Sequence, residues 1–207
     1  MISKINKRHL FLSNKNTPML KVLTFIRSLT PFTAENWELL QPALSKKVFK
    51  KNEFLLKEEE VCNSLFYIES GSCKSYYEID GEIKNTFFYF EDEIATNLSS
   101  FGSGQKSNFN IIATEPLTVI IFDKEKLFNI AKHSLAIEAL GRCCIRLYAI
   151  KQEELSTVFQ LYSTEERLAY LERTKPELLK RVPLSQLASF LGVKRETLSR
   201  IRKRRIM

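Results

Sequence analysis

Residues 194–205 read KRETLSRIRKRR and hold seven Lys or Arg against a single acid, Glu196. A solvated helix face ordinarily mixes signs, so this excess points to neutralisation of phosphates. The order of the side chains adds more. Arg195 and Arg200 carry planar guanidinium forks that can bond bidentately to guanine, and Glu196 can accept from a cytosine amino group. A merely basic helix has no use for that Glu. Lys194, Thr197 and Ser199 complete the set of candidate DNA contacts, with Lys203 and Arg204 as a phosphate-binding end. The chemistry expected here is recognition of double-stranded DNA. No constellation in the chain suggests a catalytic role, and none is assigned.

Such a helix needs a partner that holds it at a fixed angle. Ser185–Leu191 are expected as a short helix, Gly192 as a left-handed turn, and a second helix from about Lys194 to Arg204. Ala188 is small where the two helices must cross. Leu187, Leu191, Val193, Leu198 and Ile201 fall where such a pair buries its contacts, which is the layout of a helix-turn-helix. Upstream, Ser163 and Glu166 make a capping box, so a fresh helix is expected to open this module.

From Lys46 the texture is different. Seven short segments rich in aromatic and β-branched residues, from KKVFK to LTVIIF, are punctuated by turn residues. Asp80-Gly81 supplies the positive φ angles of a two-residue hairpin, and Gly71 marks another turn. This reads as an antiparallel β-roll or jelly roll. Before it, Leu20, Leu23, Ile26 and Leu29 suggest one helix, and Thr33 caps a second. After it, Asp123 caps a helix, and a long helix is expected over 134–160. That helix is apolar on two faces, with Ile137, Leu140, Cys144, Leu147, Leu155 and Val158 on one and Gly141, Ile145, Tyr148 and Phe159 on the other. One face can lie on the roll and the other on a second copy, giving a homodimer whose seam includes Leu140 and Leu147. The expected class is α+β. It comprises a tail at 1–17, a sensor domain at 18–133, a dimerisation helix at 134–160 and a winged-helix-like helix-turn-helix domain at 161–207.

Composition bounds the rest. The 207 residues carry a formal net charge of +8, which favours an anionic partner. No apolar run approaches the ~18 residues that cross a bilayer. The apolar centre Leu10-Phe11-Leu12 is too short for a signal peptide, so a cytoplasmic protein without a membrane partner is expected. Cys62, Cys73, Cys143 and Cys144 lack a zinc spacing, and two His are too few for a cupin-type metal site. Neither an enzyme, a metal site nor a cofactor is expected. Thiol sensing at Cys143 or Cys144 stays open, as does a module whose basic helix binds some other anion.

The β-roll, the long helix and the C-terminal KRETLSRI resemble the CRP/FNR family of bacterial transcription regulators over about residues 20–207. The family's R-E-T-x-[SG]-R signature is met by Arg195, Glu196, Thr197, Ser199 and Arg200. The resemblance implies base reading by Arg195, Glu196 and Arg200, and RNA polymerase as a partner class. Because the sequence ends at Met207, the strands of a wing are expected before the helices or not at all. Members that bind cyclic nucleotides carry Gly-Glu for the ribose and Arg-Ser/Thr for the phosphate. Aligned through FGSGQ, these fall on Thr96-Asn97 and Ser107-Asn108, with Lys106 beside them. Both charged residues are missing, so cyclic AMP is not expected as the effector, whose identity stays unknown. The family's iron–sulfur sensors use clustered N-terminal cysteines, whereas the first cysteine here is Cys62. Haem ligation by His9 or His133 has no supporting motif.

Overall fold

A computed structural model describes residues 19–206. The expected tail at 1–17, with His9, lies outside the described residues. Eight strands build the roll: β1 (Leu44–Phe49), β2 (Phe54–Leu56), β3 (Ser64–Ser70), β4 (Cys73–Ile79), β5 (Glu82–Tyr89), β6 (Ile94–Ala95), β7 (Asn110–Ala113) and β8 (Leu117–Asp123). They form two antiparallel sheets, ordered β1-β8-β3-β6 and β2-β7-β4-β5. Phe49, Ile68, Ile111 and Val119 close the space between them. Asp80 (φ 53°) and Gly81 (φ 75°) turn β4 into β5 with Ile79 opposite Glu82, as the Asp-Gly pair predicts. Gly71 has φ +90°, and a Cβ there would stand 2.3 Å from the Pro116 carbonyl oxygen, so only glycine fits. The seven strands expected from sequence are present. The eighth, β6, is two residues long and leaves no period to read.

The sheet containing β8 is covered on its outer face by α1 (Leu20–Leu29), α2 (Ala34–Leu40), α4 (Lys124–Ala131) and α5 (Leu135–Leu161), with α3 (Leu98–Ser103) lying between β6 and β7 in the chain. Val119 faces the roll interior while Ile120 and Phe122 join Val22, Ile26, Leu40 and Ile137 on the helix side. Burial on both faces explains why residues 119–122, VIIF, are continuously apolar rather than alternating. The expected caps are in place: Thr33 accepts from Asn36 N–H, Asp123 from Lys126 N–H and Ser134 from Ile137 N–H. Two expectations need adjustment. Leu20 is 61% exposed, and α1 buries Val22 beside the expected Ile26. Leu140, one of the apolar positions on α5, is spent inside the chain, at 6% exposure in the cluster with Val22 and Ile26.

Four helices complete the chain: α6 (Thr164–Thr174), α7 (Pro176–Arg181), α8 (Leu184–Leu191) and α9 (Arg195–Ile206). Ser163 and Glu166 form the capping box in both directions. Leu168, Leu171, Leu178, Leu187, Leu198 and Ile201 make the core of this bundle. The strand β5 and the residue after it contribute to it as well. Phe87 and Tyr89 point into the roll, while Phe88 and Phe90 point into the helical core, as the two-residue period of a strand requires. Polar contacts extend this junction. Asn85 N–H donates to Ser189 Oγ (3.1 Å), Ser189 Oγ donates to the Ile83 carbonyl (2.9 Å), and Asn85 Nδ2 donates to the Gln186 carbonyl (3.2 Å). Arg181 pairs with Glu91 and Glu115, and Glu93 receives Lys151 and Lys175. Among the described residues no strand follows β8, so no wing accompanies α8 and α9.

Candidate nucleic-acid interface and effector pocket

The helix pair of the C-terminal module forms around Ala188. Its side chain is 1% exposed, Leu187 and Leu191 flank it, and Leu198 and Ile201 meet them from α9. Gly192 adopts φ 72°, and the amides of Gly192 and Val193 return to the carbonyls of Ser189 and Ala188, closing α8 with a left-handed cap. Arg195 opens the following helix, with the Lys194 carbonyl accepting from Leu198 N–H.

Burial of Leu198 and Ile201 decides which side of α9 faces outward. At 100° per residue, Glu196, Arg200 and Lys203 fall within roughly 60° of one another, opposite the buried pair. All three are exposed, as are Lys194 and Arg195, while Thr197 and Ser199 are half-buried at the edges. Arg195 stands on one flank of this face and Arg204 on the other. Arg204 is engaged elsewhere: it pairs with Glu165 of α6 at 2.9 Å, and Arg205 pairs with Glu172 at 2.6 Å. These acids of α6 draw the two C-terminal arginines toward their own bundle. The sequence did not show this, because the α6 acids are some forty residues away in the chain.

The five candidate effector residues do not act as one set. Asn97, Lys106 and Asn108 line a polar cavity of about 580 Å³, with Tyr77, Phe109 and Tyr148 as its aromatic wall. Thr96 and Ser107 are spent on the fold. Thr96 donates to the Ser64 carbonyl, and Ser107 donates to the Phe109 carbonyl while accepting from Asn97 Nδ2 at 2.9 Å. The Asn97 oxygen caps α3 through Ser100 N–H. Lys106 is held by Glu59 at 2.9 Å with both groups exposed. In the family this chain resembles, a carboxylate meets the ribose of a cyclic nucleotide and a guanidinium its buried phosphate, a charge that burial leaves costly without such a partner. This cavity has neither, and the buried Asn97–Ser107 amide and hydroxyl already satisfy each other. The residues present do not fit such a ligand. Sequence reasoning missed α3 and the contribution of Tyr77 and Tyr148, which come from a strand and from the long helix.

The four thiols differ in their surroundings. Cys62 and Cys73 are buried, and burial pushes the Cys73 thiol well up. Burial, reinforced by neighbouring Cys143, raises Cys144 to about 11, which leaves little thiolate at neutral pH. Cys143 donates to the Leu29 carbonyl at 3.4 Å.

Residues 46–134 match the cyclic nucleotide-binding domain family. No match is found among curated protein sequences. Solved structures share the fold over most of the chain. FixK2 from Bradyrhizobium japonicum has a TM-score of 0.64 at 17% identity, covering 78% of this chain and 83% of its own. A protein from Eubacterium rectale assigned to the crp/fnr family has a TM-score of 0.65 at 17% identity, covering 84% and 85%. The c-di-GMP-responsive global regulator CLP of Xanthomonas campestris has a TM-score of 0.61 at 17% identity, covering 83% and 91%.

Proposed function

We propose that this chain, which carries a cyclic nucleotide-binding-type domain on a CRP/FNR-like fold, is a sequence-specific DNA-binding transcription regulator. It works as a cytoplasmic homodimer, and its effector is not cyclic AMP. The observation that carries the reading is the outward face of α9, where Arg200 and Lys203 flank a lone Glu196 on an otherwise basic helix. Phosphate binding alone would select against that acid, whereas base readout uses it. A homodimer would set two such helices about one turn of duplex apart (~34 Å), to read two half-sites.

Selection of bound duplexes from a random pool tests the proposal. A regulator returns a two-fold symmetric site whose affinity over random duplex falls with salt along with the phosphate contacts. Salt-sensitive binding with no enriched sequence would leave α9 as a clamp for anions. Calorimetry with millimolar cyclic AMP should give no saturable heat, and micromolar binding would refute the assignment of the polar cavity.

A further inference from the structure

We infer that Arg202 is a further DNA-positioning residue, which clamps a phosphate on one strand of each half-site and so sets how α9 sits in the major groove. The inference rests on the DNA reading proposed above. Arg202 is exposed and stands about one turn before the end of α9. It lies about 20° around the helix from Arg195 and ~10.5 Å beyond it along the axis. The two therefore share a flank, set apart from the face of Glu196, Arg200 and Lys203. A helix with its side chains is about 10–12 Å across, and the major groove of B-DNA is about 12 Å wide. A helix seated there aims its reading face at the base edges and brings its flanks against the phosphates at the rim. A guanidinium on a flank meets phosphate oxygens, which fix orientation without reading sequence.

The distribution of acids around α9 singles this residue out. Arg202, Lys203, Arg204 and Arg205 are consecutive cations, and like charges packed this closely repel one another. The fold answers two of them. Arg204 pairs with Glu165 at 2.9 Å and Arg205 with Glu172 at 2.6 Å, both acids belonging to α6. Among the described residues no carboxylate answers Arg202 or Lys203. Lys203 has its place on the outward face, which leaves Arg202 as the cation without a role. The helix dipole does not account for it, because Lys203, Arg204 and Arg205 already occupy the last turn. Repulsion left standing in the free chain is relieved when a phosphate arrives.

The opposite flank is different. Arg204 lies about 160° around the helix from Arg202 and is neutralised by Glu165. Thr197, on the same side as Arg204, is uncharged and half-buried. The free positive charge on the flanks of α9 is therefore one-sided, with Arg195 toward the start of the helix and Arg202 toward its end. A helix charged in this way leans on one wall of the groove. Arginine suits the task, since its planar fork can hold two oxygens of one phosphate at once.

Titration of the full chain against its selected duplex and a scrambled one, at several salt concentrations, tests the inference. Arg202→Gln should weaken both duplexes by the same factor and flatten the salt dependence by about one unit per chain. Thermal unfolding should remain that of the parent, so the loss cannot be ascribed to a damaged fold. Arg202→Lys should restore the slope, because an ammonium also neutralises a phosphate. Single methylphosphonates, each removing one phosphate charge, then locate the contact. At one position on one strand of each half-site, the substitution should weaken the parent and leave Arg202→Gln unaffected. Elsewhere the two proteins should respond alike. An unchanged slope in Arg202→Gln overturns the inference, as does a slope that lysine does not restore. So does an altered base preference, or a methylphosphonate pattern identical to the parent's. A parent chain that selects no duplex refutes the DNA reading itself. One that selects a duplex which Arg202→Gln binds as the parent does refutes this role alone.

Discussion

At the scale of single residues, the exposed face of α9 separates reading from clamping. Arg200→Ala should cost about 1–3 kcal/mol at the selected duplex and relax preference at one position of each half-site, measured by anisotropy titration against scrambled duplex. Glu196→Ala should lose discrimination while tightening non-specific binding, because it removes an acid from a phosphate-facing surface. Lys203→Ala should weaken all duplexes alike and flatten the salt dependence by about one unit per chain. Arg204→Ala should do much less, since Glu165 already holds that guanidinium. An equal effect at 203 and 204 would mean that the Arg204–Glu165 pair opens on binding. The identities of these side chains were legible in the sequence. Their division of labour was not, because it depends on which acids of α6 lie behind the helix.

Elements whose signal is local could be read directly, and those defined by distant neighbours could not. Asp80-Gly81, Gly192, Asp123 and the Ser163–Glu166 box each fix backbone geometry within a few residues, and each appears where expected. The two-residue β6 and the six-residue α3 are too short for a period. They form because the roll leaves them partners, and α3 carries part of the polar cavity. The long helix shows the same limit. Its apolar positions were plain, but only packing reveals that Leu140 faces α1 while Leu147 and Ile150 are 41% and 46% exposed. Leu147→Lys with Ile150→Lys should therefore yield folded monomers in sedimentation. Leu140→Ala should instead destabilise the fold by ~2–5 kcal/mol with no such change in assembly, as read in urea unfolding. A Leu147/Ile150 variant that stays dimeric would move the seam off this strip.

Across the whole molecule, the β-roll and the C-terminal helices meet through charge as well as apolar contact. Burial works against ionisation of Glu93, yet Lys175 and Lys151 hold its carboxyl below the usual range. Glu91 also pays for burial and is held low by Arg181 and by the Gly71 amide. A carboxyl depressed in the folded state stabilises that state at neutral pH, and the contribution is lost as pH falls through the folded value. The junction should therefore loosen on acidification below the ordinary carboxylate range of about 4–4.5, and not on moderate alkalinisation. Limited proteolysis near residue 162 as a function of pH tests this, and Glu93→Gln should weaken the junction at pH 7 and flatten the profile. Acceleration that persists unchanged in Glu93→Gln and in Glu91→Gln would assign the loosening to other groups. The run Phe87–Phe90 bears on how such proteins can be shuffled. Alternate rings of a single strand serve two cores, so the seam between the modules does not coincide with any cut in the chain. A reader grafted onto a foreign sensor would leave Phe88 and Phe90 behind, with holes beside Leu187 and Phe190 in the transplant and two bare rings on the donor. Successful chimeras of this chain, natural or made, would have to carry the β4–β5 hairpin along with the helices it feeds.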